Sequence, residues 1–151
     1  MATSFEQVQG LLAAEEPDYE QAAALGPDAV PFLGRLVAGG DPMMASKAAY
    51  LAGMIGGPRA MDVLQAAAHS DQAIVRLATA ATARNLSHPT ASQVVKLFVT
   101  DADPGVRRAA LESVSGAVDR SLENTLTEMA GSDPDPSIRY AADAALARIA
   151  R

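Results

Sequence analysis

Apolar positions recur along the chain with the spacing of α-helices. Counted from Val106, apolar or small residues stand at i, i+4, i+7, i+8 and i+11, and the last of these is Ala117. This spacing places them on one stripe of a helix. A second stripe precedes it and contains Val94, Val95 and Phe98. No run alternates β-branched and polar residues with a period of two, so we predict helices and no sheet.

The pair of stripes repeats about every 31 residues, with one residue inserted between helices A and B of the last unit. Each unit is therefore predicted to hold a helix A, a tight turn, a helix B and a short link. Helices this short cannot bury an apolar stripe alone, but stacked neighbours can bury it for each other. The column that begins the stripe of helix B shows the register: Met44, Val75, Val106 and Ile138.

The first residues fit a degenerate version of the same unit. Phe5, Val8 and Leu12 share a helical face behind Ser4, which is a possible N-cap. A short second helix is predicted to begin at Pro17 and to end before Gly26. We therefore expect ten helices in five antiparallel pairs within a single domain. Its predicted parts are a capping unit at 1–26 and repeats at 27–57, 58–88, 89–119 and 120–151.

One short motif opens helix B in the last two units. It reads DPGVRRAAL at 103–111 and DPSIRYAADAAL at 135–146. A 31-residue unit with this motif resembles the HEAT-like repeat family, and more narrowly its short bacterial type, first noted in phycobilisome lyases. The resemblance is strong over residues 27–151 and weak over 1–26. It implies an all-α fold, an α-solenoid, but no particular activity, because such arrays serve many unrelated functions.

The aspartates of the motif stand where helix N-caps belong. The carboxylates of Asp103 and Asp135 are expected to accept from exposed backbone N–H groups, and the proline after each fits the first helical position. Gln72 breaks this column, and there Ser70 or Asp71 is expected to cap instead. Such substitutions are typical of a structural rule that tolerates change.

The arginines of the motif flank the buried stripe and face a neighbouring unit. We predict that Arg76, Arg107 and Arg139 form bridges between units, since a guanidinium can reach a carboxylate or a free carbonyl of the adjacent repeat. The alternative is an exposed arginine row that grips an anionic partner. Ala45 breaks the row in the first full unit.

Composition removes several classes of function. The net charge is −6, so a nucleic acid gains no attraction from the field of the whole protein, and we expect no nucleic-acid partner. The chain has no cysteine, which removes thiolate chemistry and cysteine-based metal sites. The start shows no signal peptide, and no apolar run is long enough for a membrane span. We therefore expect a cytoplasmic protein with no membrane partner.

No set of residues for catalysis is recognisable. His69 and His88 stand apart without the spacing of a zinc site, and each is expected at the surface beside the end of a helix. No phosphate-binding glycine loop and no nucleophile with a base is present. We predict no catalytic residue, no metal and no cofactor.

The face of helix B opposite the stripe is the best candidate for binding. In solenoids of the kind that the chain resembles, helix B lines the concave side. Here most residues are small, with a few larger ones of the types found at interaction hot spots. The predicted partner-binding residues are Tyr50, Leu77, Arg84, Arg108, Glu112 and Tyr140, with Leu111 at the edge.

The sequence therefore predicts a non-enzymatic module that binds a helix or peptide of a partner protein on this concave face. The resemblance implies an alternative, an accessory or lyase-like subunit acting on a chromophore-bearing or otherwise modified protein. A third possibility, an anion or nucleic-acid binder, requires the arginine row to be exposed. No polar capping unit follows the last helix pair, and an uncapped end favours dimerisation or docking. We therefore expect a monomer or a weak homodimer.

Overall fold

The computed structural model describes residues 2–149 and is all-helical. These residues form ten α-helices, with 3₁₀ turns at Gly26–Ala29 and Ala83–Asn85. They contain no strand, and one isolated bridge joins Gly116 to Ile149. The helices are α1 Phe5–Leu12, α2 Tyr19–Ala23, α3 Val30–Ala38, α4 Pro42–Ile55, α5 Pro58–Ala68, α6 Ala73–Thr82, α7 His88–Phe98, α8 Pro104–Glu112, α9 Arg120–Ser132 and α10 Pro136–Arg148.

The helices stack as successive pairs. Odd-numbered helices are helices A and even-numbered ones are helices B. Helices α4, α6, α8 and α10 contact one another in sequence and form a row of helices B, while α3, α5 and α7 form the adjacent row. The first pair joins the stack through contacts of α1 with α3 and of α2 with α4. The predicted all-α solenoid is confirmed, as are its ten helices.

Aspartates begin three of the four longer helices B. Asp41 Oδ1 accepts from the backbone N–H of Met43 at 3.0 Å. Asp103 Oδ1 accepts from Gly105 at 2.7 Å, and Asp135 Oδ1 accepts from the backbone of residue 137 at 2.8 Å. A proline is the first residue of each of these helices, where its missing N–H costs nothing. Local sequence alone therefore sets where these helices begin.

Helix α6 begins without a side-chain cap. Ser70 Oγ accepts from the backbone N–H of Gln72 at 3.1 Å. Gln72 is itself the N-cap residue, so this bond does not satisfy an N–H group of the first turn of the helix. The expectation that Ser70 or Asp71 replaces the missing aspartate cap is therefore wrong. The backbone N–H groups of Val75 and Arg76 donate instead to the backbone carbonyl of Gln72.

The first unit is held by its own caps and by one long side chain. Ser4 Oγ accepts from the N–H of Gln7 at 3.1 Å, as its position predicts. Helix α2 begins at Tyr19 behind the cap Asp18, two residues later than predicted from Pro17. Lys47 Nζ on α4 donates to the carbonyls of residues 12 and 14, at 3.2 and 2.8 Å, and so satisfies the end of α1.

Small residues bring the helices B close together. A Cβ at Gly53 would overlap the side chain of Thr82, so only glycine allows α4 to lie this near the end of α6. Thr82 Oγ1 uses this approach and donates to the carbonyl of Tyr50 at 2.8 Å. The fully buried large side chains fill the space between the two rows and include Phe98, Leu33, Leu51, Leu64, Leu122 and Leu126.

Candidate functional site

Ion pairs link successive helices B to the following unit. Arg76 Nε on α6 lies 2.9 Å from Asp101 Oδ2, in the turn before α8. Arg107 Nε on α8 lies 3.2 Å from Asp133 Oδ2, in the turn before α10. The aspartate side chains are only 9% and 7% exposed. We call this set, together with Arg139 on α10, the arginine ladder.

Each arginine of the ladder also holds the turn of its own unit. Arg76 donates to the carbonyl of Ser70 at 2.8 Å, and Arg107 donates to the carbonyl of Asp101 at 2.8 Å. Arg139 makes the equivalent bond to the carbonyl of Asp133 at 2.7 Å. Arg76 and Arg107 therefore connect two turns at once and are mostly covered, which removes them from the exposed row that an anion-binding surface requires.

The ladder changes the acidity of one of its carboxylates. Burial by itself raises the pKa of Asp101, but hydrogen bonds from the Arg76 guanidinium and from the backbone N–H of Asp103 outweigh it. The attraction of Arg76 and Arg107 acts in the same direction, so the pKa of Asp101 lies below its ordinary value. The carboxylate is thus held ionised as part of the structure.

The ladder is missing from the junction between α4 and α6. Ala45 stands where the later units have arginine, and Ser70 stands where they have the accepting aspartate. Both partners are absent together, and the space is an open cleft of about 260 Å³. Its lining includes Val37, Ala45, His69, Ser70 and Gln72.

Several of the predicted partner-binding residues are exposed on the helices B. Leu77 on α6 is 41% exposed and Tyr140 on α10 is 76% exposed. Arg108 and Glu112 are both exposed on α8 and form an i, i+4 pair, with Nε 3.4 Å from Oε1. Arg84 is exposed in the 3₁₀ turn that follows α6, where its Nε donates to a backbone carbonyl at 3.0 Å.

Two predicted partner-binding residues are less exposed than expected. Tyr50 is half-buried, because its ring packs against Tyr19 of the first unit with the centroids 5.0 Å apart. Burial raises the pKa of Tyr19, and the neighbouring Tyr50 adds to this effect. Leu111 is fully buried, so its placement on the binding face is wrong. The residue at the equivalent position of the preceding unit, Ala80, is also buried.

Two exposed apolar residues on the helices B lie outside the predicted set. Met43 is 54% exposed and Ile74 is 41% exposed. Both occupy the same register position, three residues before the column that contains Leu77 and Tyr140. The i, i+3 spacing puts the two columns on one side of the helix. The sequence pattern was therefore sufficient to predict that Met43 and Ile74 lie on the same face as Leu77 and Tyr140. We call Met43, Ile74, Leu77, Arg108, Glu112 and Tyr140 the helix-B face.

The histidines take structural positions. His69 follows the last residue of α5, and its Nδ1 lies 2.8 Å from the carbonyl of Gln65, in keeping with the predicted helix end. His88 is exposed, as expected, but it is the first residue of α7 and so lies at the beginning of a helix rather than at the C-terminal end of one. Its ring packs on Gly116, where a Cβ would overlap it. Within residues 2–149, no cluster of three or more potential metal ligands occurs.

Comparison with known proteins agrees with this architecture. Residues 91–151 match the HEAT-repeat family. A subunit in the structure of the complex of CpcE and CpcF of phycocyanin lyase from Nostoc sp. PCC7120 has a similar fold, with a TM-score of 0.71 and 23% sequence identity. The alignment covers 93% of this chain and 96% of that one. No curated protein matches the chain in sequence.

The predicted resemblance to HEAT-like repeats of the phycobilisome-lyase type is thereby confirmed at the level of the fold. No helix within residues 2–149 is both long enough and apolar enough to cross a bilayer.

Proposed function

We propose that this HEAT-repeat solenoid is a non-enzymatic module that binds a helix or an extended peptide of a partner protein on the helix-B face. The observation that carries the proposal is the distribution of exposed apolar side chains. Four of the five large apolar residues exposed on the described surface, Met43, Ile74, Leu77 and Tyr140, belong to the helix-B row. Exposed apolar groups that gather on one face indicate a surface for a protein partner, whereas scattered ones need no such explanation.

The chemistry of the face changes along the solenoid. Its first part, on α4 and α6, offers Met43, Ile74 and Leu77, which are adaptable aliphatic contacts. Its second part, on α8 and α10, offers the Arg108–Glu112 pair and the aromatic ring of Tyr140. A partner helix that is apolar toward one end and polar toward the other would fit this order. Its apolar side chains would bury the exposed aliphatic groups of α4 and α6.

The test compares two rows of the same solenoid. A triple variant, Ile74→Ser, Leu77→Ser and Tyr140→Ser, should lose a partner retained by the native protein in affinity capture followed by mass spectrometry. The matched control is Leu97→Ser, because Leu97 is 43% exposed on α7 in the helix-A row. We expect the control to retain the partner and both variants to keep the native helix content. Equal capture by the triple variant and the native protein would contradict the proposal.

A lyase-like accessory role is the second candidate. Its support is the likeness in fold to a subunit of the CpcE and CpcF complex of phycocyanin lyase. Such a role needs a chromophore-bearing or otherwise modified protein as the partner on the same face. The identity of the captured protein separates the two candidates, since an unmodified partner supports the binding module and a chromophore-bearing one supports the accessory subunit.

A further inference from the structure

The arginine ladder has an open donor at one end of the described solenoid. Arg139 takes in α10 the position of Arg76 and Arg107, and it donates to the carbonyl of Asp133 in the turn of its own unit. The two earlier arginines also reach a carboxylate of the next unit. Over residues 2–149, no carboxylate forms an ion pair with Arg139. Its guanidinium thus makes the bond of a ladder member within its own unit, and no carboxylate among residues 2–149 takes the second place.

The other end of the solenoid has a matching open acceptor. Glu16 stands two residues before the N-cap Asp18 of α2, which is the position of Asp133 relative to the N-cap Asp135. A proline separates acid and cap in both turns. Glu16 is exposed, and within the described part of the chain it has no cationic partner. The turn therefore carries a carboxylate at the sequence position of the ladder aspartates.

We propose that Arg139 of one copy of this chain pairs with Glu16 of a second copy, so that the ladder continues head to tail between molecules. The proposal goes beyond the binding function above, because it uses the two end faces of the solenoid and leaves the helix-B face free. It joins two different surfaces, so it is a heterologous contact that can grow beyond two copies or close into a ring.

Charge supports a second copy as the occupant. Residues 2–25 hold five acidic residues and no basic residue, so the first unit presents a field that attracts the open guanidinium. A guanidinium can bond a carboxylate through two N–H groups, which fixes orientation as well as attraction. Glutamate is one methylene longer than the aspartates of the internal rungs, which extends its reach across an interface.

The contact is expected to be weak. The end helix α9 exposes mostly polar residues, among them Ser121, Asn124, Thr127 and Glu128, so little apolar area is available. The net charge of −6 also makes copies repel at a distance. The Arg139–Glu16 pair therefore decides the register of the contact. Reversing the charge of either residue should change association more than reversing a charge elsewhere on the surface.

Sedimentation of the full chain tests the pairing through reciprocal charge reversal. The native protein should associate as its concentration rises toward about 1 mM. Arg139→Glu and Glu16→Arg should each weaken association about tenfold, because each places like charges together. An equimolar mixture of the two variants should regain association. When copies of the two variants alternate, every contact again joins one acidic and one basic side chain at positions 139 and 16.

The controls carry the same changes of charge at other positions. Arg59→Glu and Glu15→Arg alter exposed residues outside the ladder register and should associate like the native protein. The mixture also guards against misfolding, since two damaged variants would not restore each other. A native protein that stays monomeric up to about 1 mM, or single reversals that associate as the controls do, would overturn the proposal.

Discussion

At the scale of the residue, the best-defined electrostatic element is the Asp101 carboxylate. It accepts from Arg76 Nε at 2.9 Å and from the N–H of Asp103 at 2.9 Å, in a place that solvent hardly reaches. Its pKa is lowered because these donors outweigh burial. Stabilisation by a carboxylate with a lowered pKa is complete above the ordinary pKa and disappears as the pH falls through the lowered value.

Asp101→Asn should therefore destabilise the protein at neutral pH by about 1–3 kcal/mol, since it leaves the covered guanidinium of Arg76 without its counter-charge. The difference from the native protein should stay constant down to about pH 4 and shrink below it, where the native carboxylate takes up its proton. Urea unfolding at a series of pH values measures this. Asp143→Asn, an exposed change on α10, is the control and should show no such trend. A difference that does not depend on pH would show that the charge is not the cause.

At the scale of the element, glycine sets how closely two helices B approach. Gly53 lies within α4 against Thr82, whereas Gly10 lies within α1 with nothing near its missing Cβ. Alanine has the higher helix propensity at both positions, by about 1 kcal/mol. Helix propensity therefore favours alanine equally at both positions, but only at Gly53 would the added methyl group overlap a neighbouring side chain.

Gly10→Ala should stabilise the protein by up to about 1 kcal/mol, because only the propensity changes. Gly53→Ala should destabilise it by about 1–3 kcal/mol, because the added methyl overlaps Thr82 and forces α4 and α6 apart. Thermal or urea unfolding of the two variants decides this. If Gly53→Ala proved as stable as Gly10→Ala, the close approach of α4 and α6 would not be rigid.

The same scale shows what could be predicted from the sequence. Caps such as Asp103 and Asp135 depend on residues within one turn, so a local pattern was sufficient to identify them. The ring of Tyr50 depends on where the first unit places Tyr19, and the burial of Leu111 depends on the helices packed around α8, which include α6, α7 and α10. A helical wheel gives the direction of a side chain but not the lateral position of the next helix. Faces between units therefore could not be resolved from periodicity alone.

At the scale of the whole molecule, the solenoid is a stack whose junctions differ in the ion pairs that cross them. The ladder joins α6 to the turn before α8 and α8 to the turn before α10. The junction of α4 with α6 lacks it, since Ala45 and Ser70 replace both partners. In a stack of repeats, stability is close to a sum of units and nearest-neighbour junctions, so a missing rung should weaken one junction and leave the others unchanged.

Rebuilding this rung tests whether the ladder is a transferable unit of stability. Ser70 Oγ already accepts from the N–H of Gln72, as Asp101 accepts from Asp103, so an aspartate at 70 keeps that bond. An arginine at 45 would enter the cleft of about 260 Å³ beside it. Ala45→Arg alone should destabilise the protein, since it leaves a partly covered guanidinium without a carboxylate. Ser70→Asp alone should have little effect because its side chain reaches solvent.

The double variant should be more stable than the sum of the two single changes by about 0.5–3 kcal/mol, the range found for residues in direct contact. Urea unfolding of all four proteins of the cycle measures this coupling. Arg107→Ala combined with Asp133→Ala supplies the reference, because the native rung should give a coupling of the same sign. If that native rung couples and the rebuilt one does not, the ladder depends on features of the later units beyond its two charged residues. If both couple, the arginine and aspartate columns of the repeat are sufficient to bind one unit to the next.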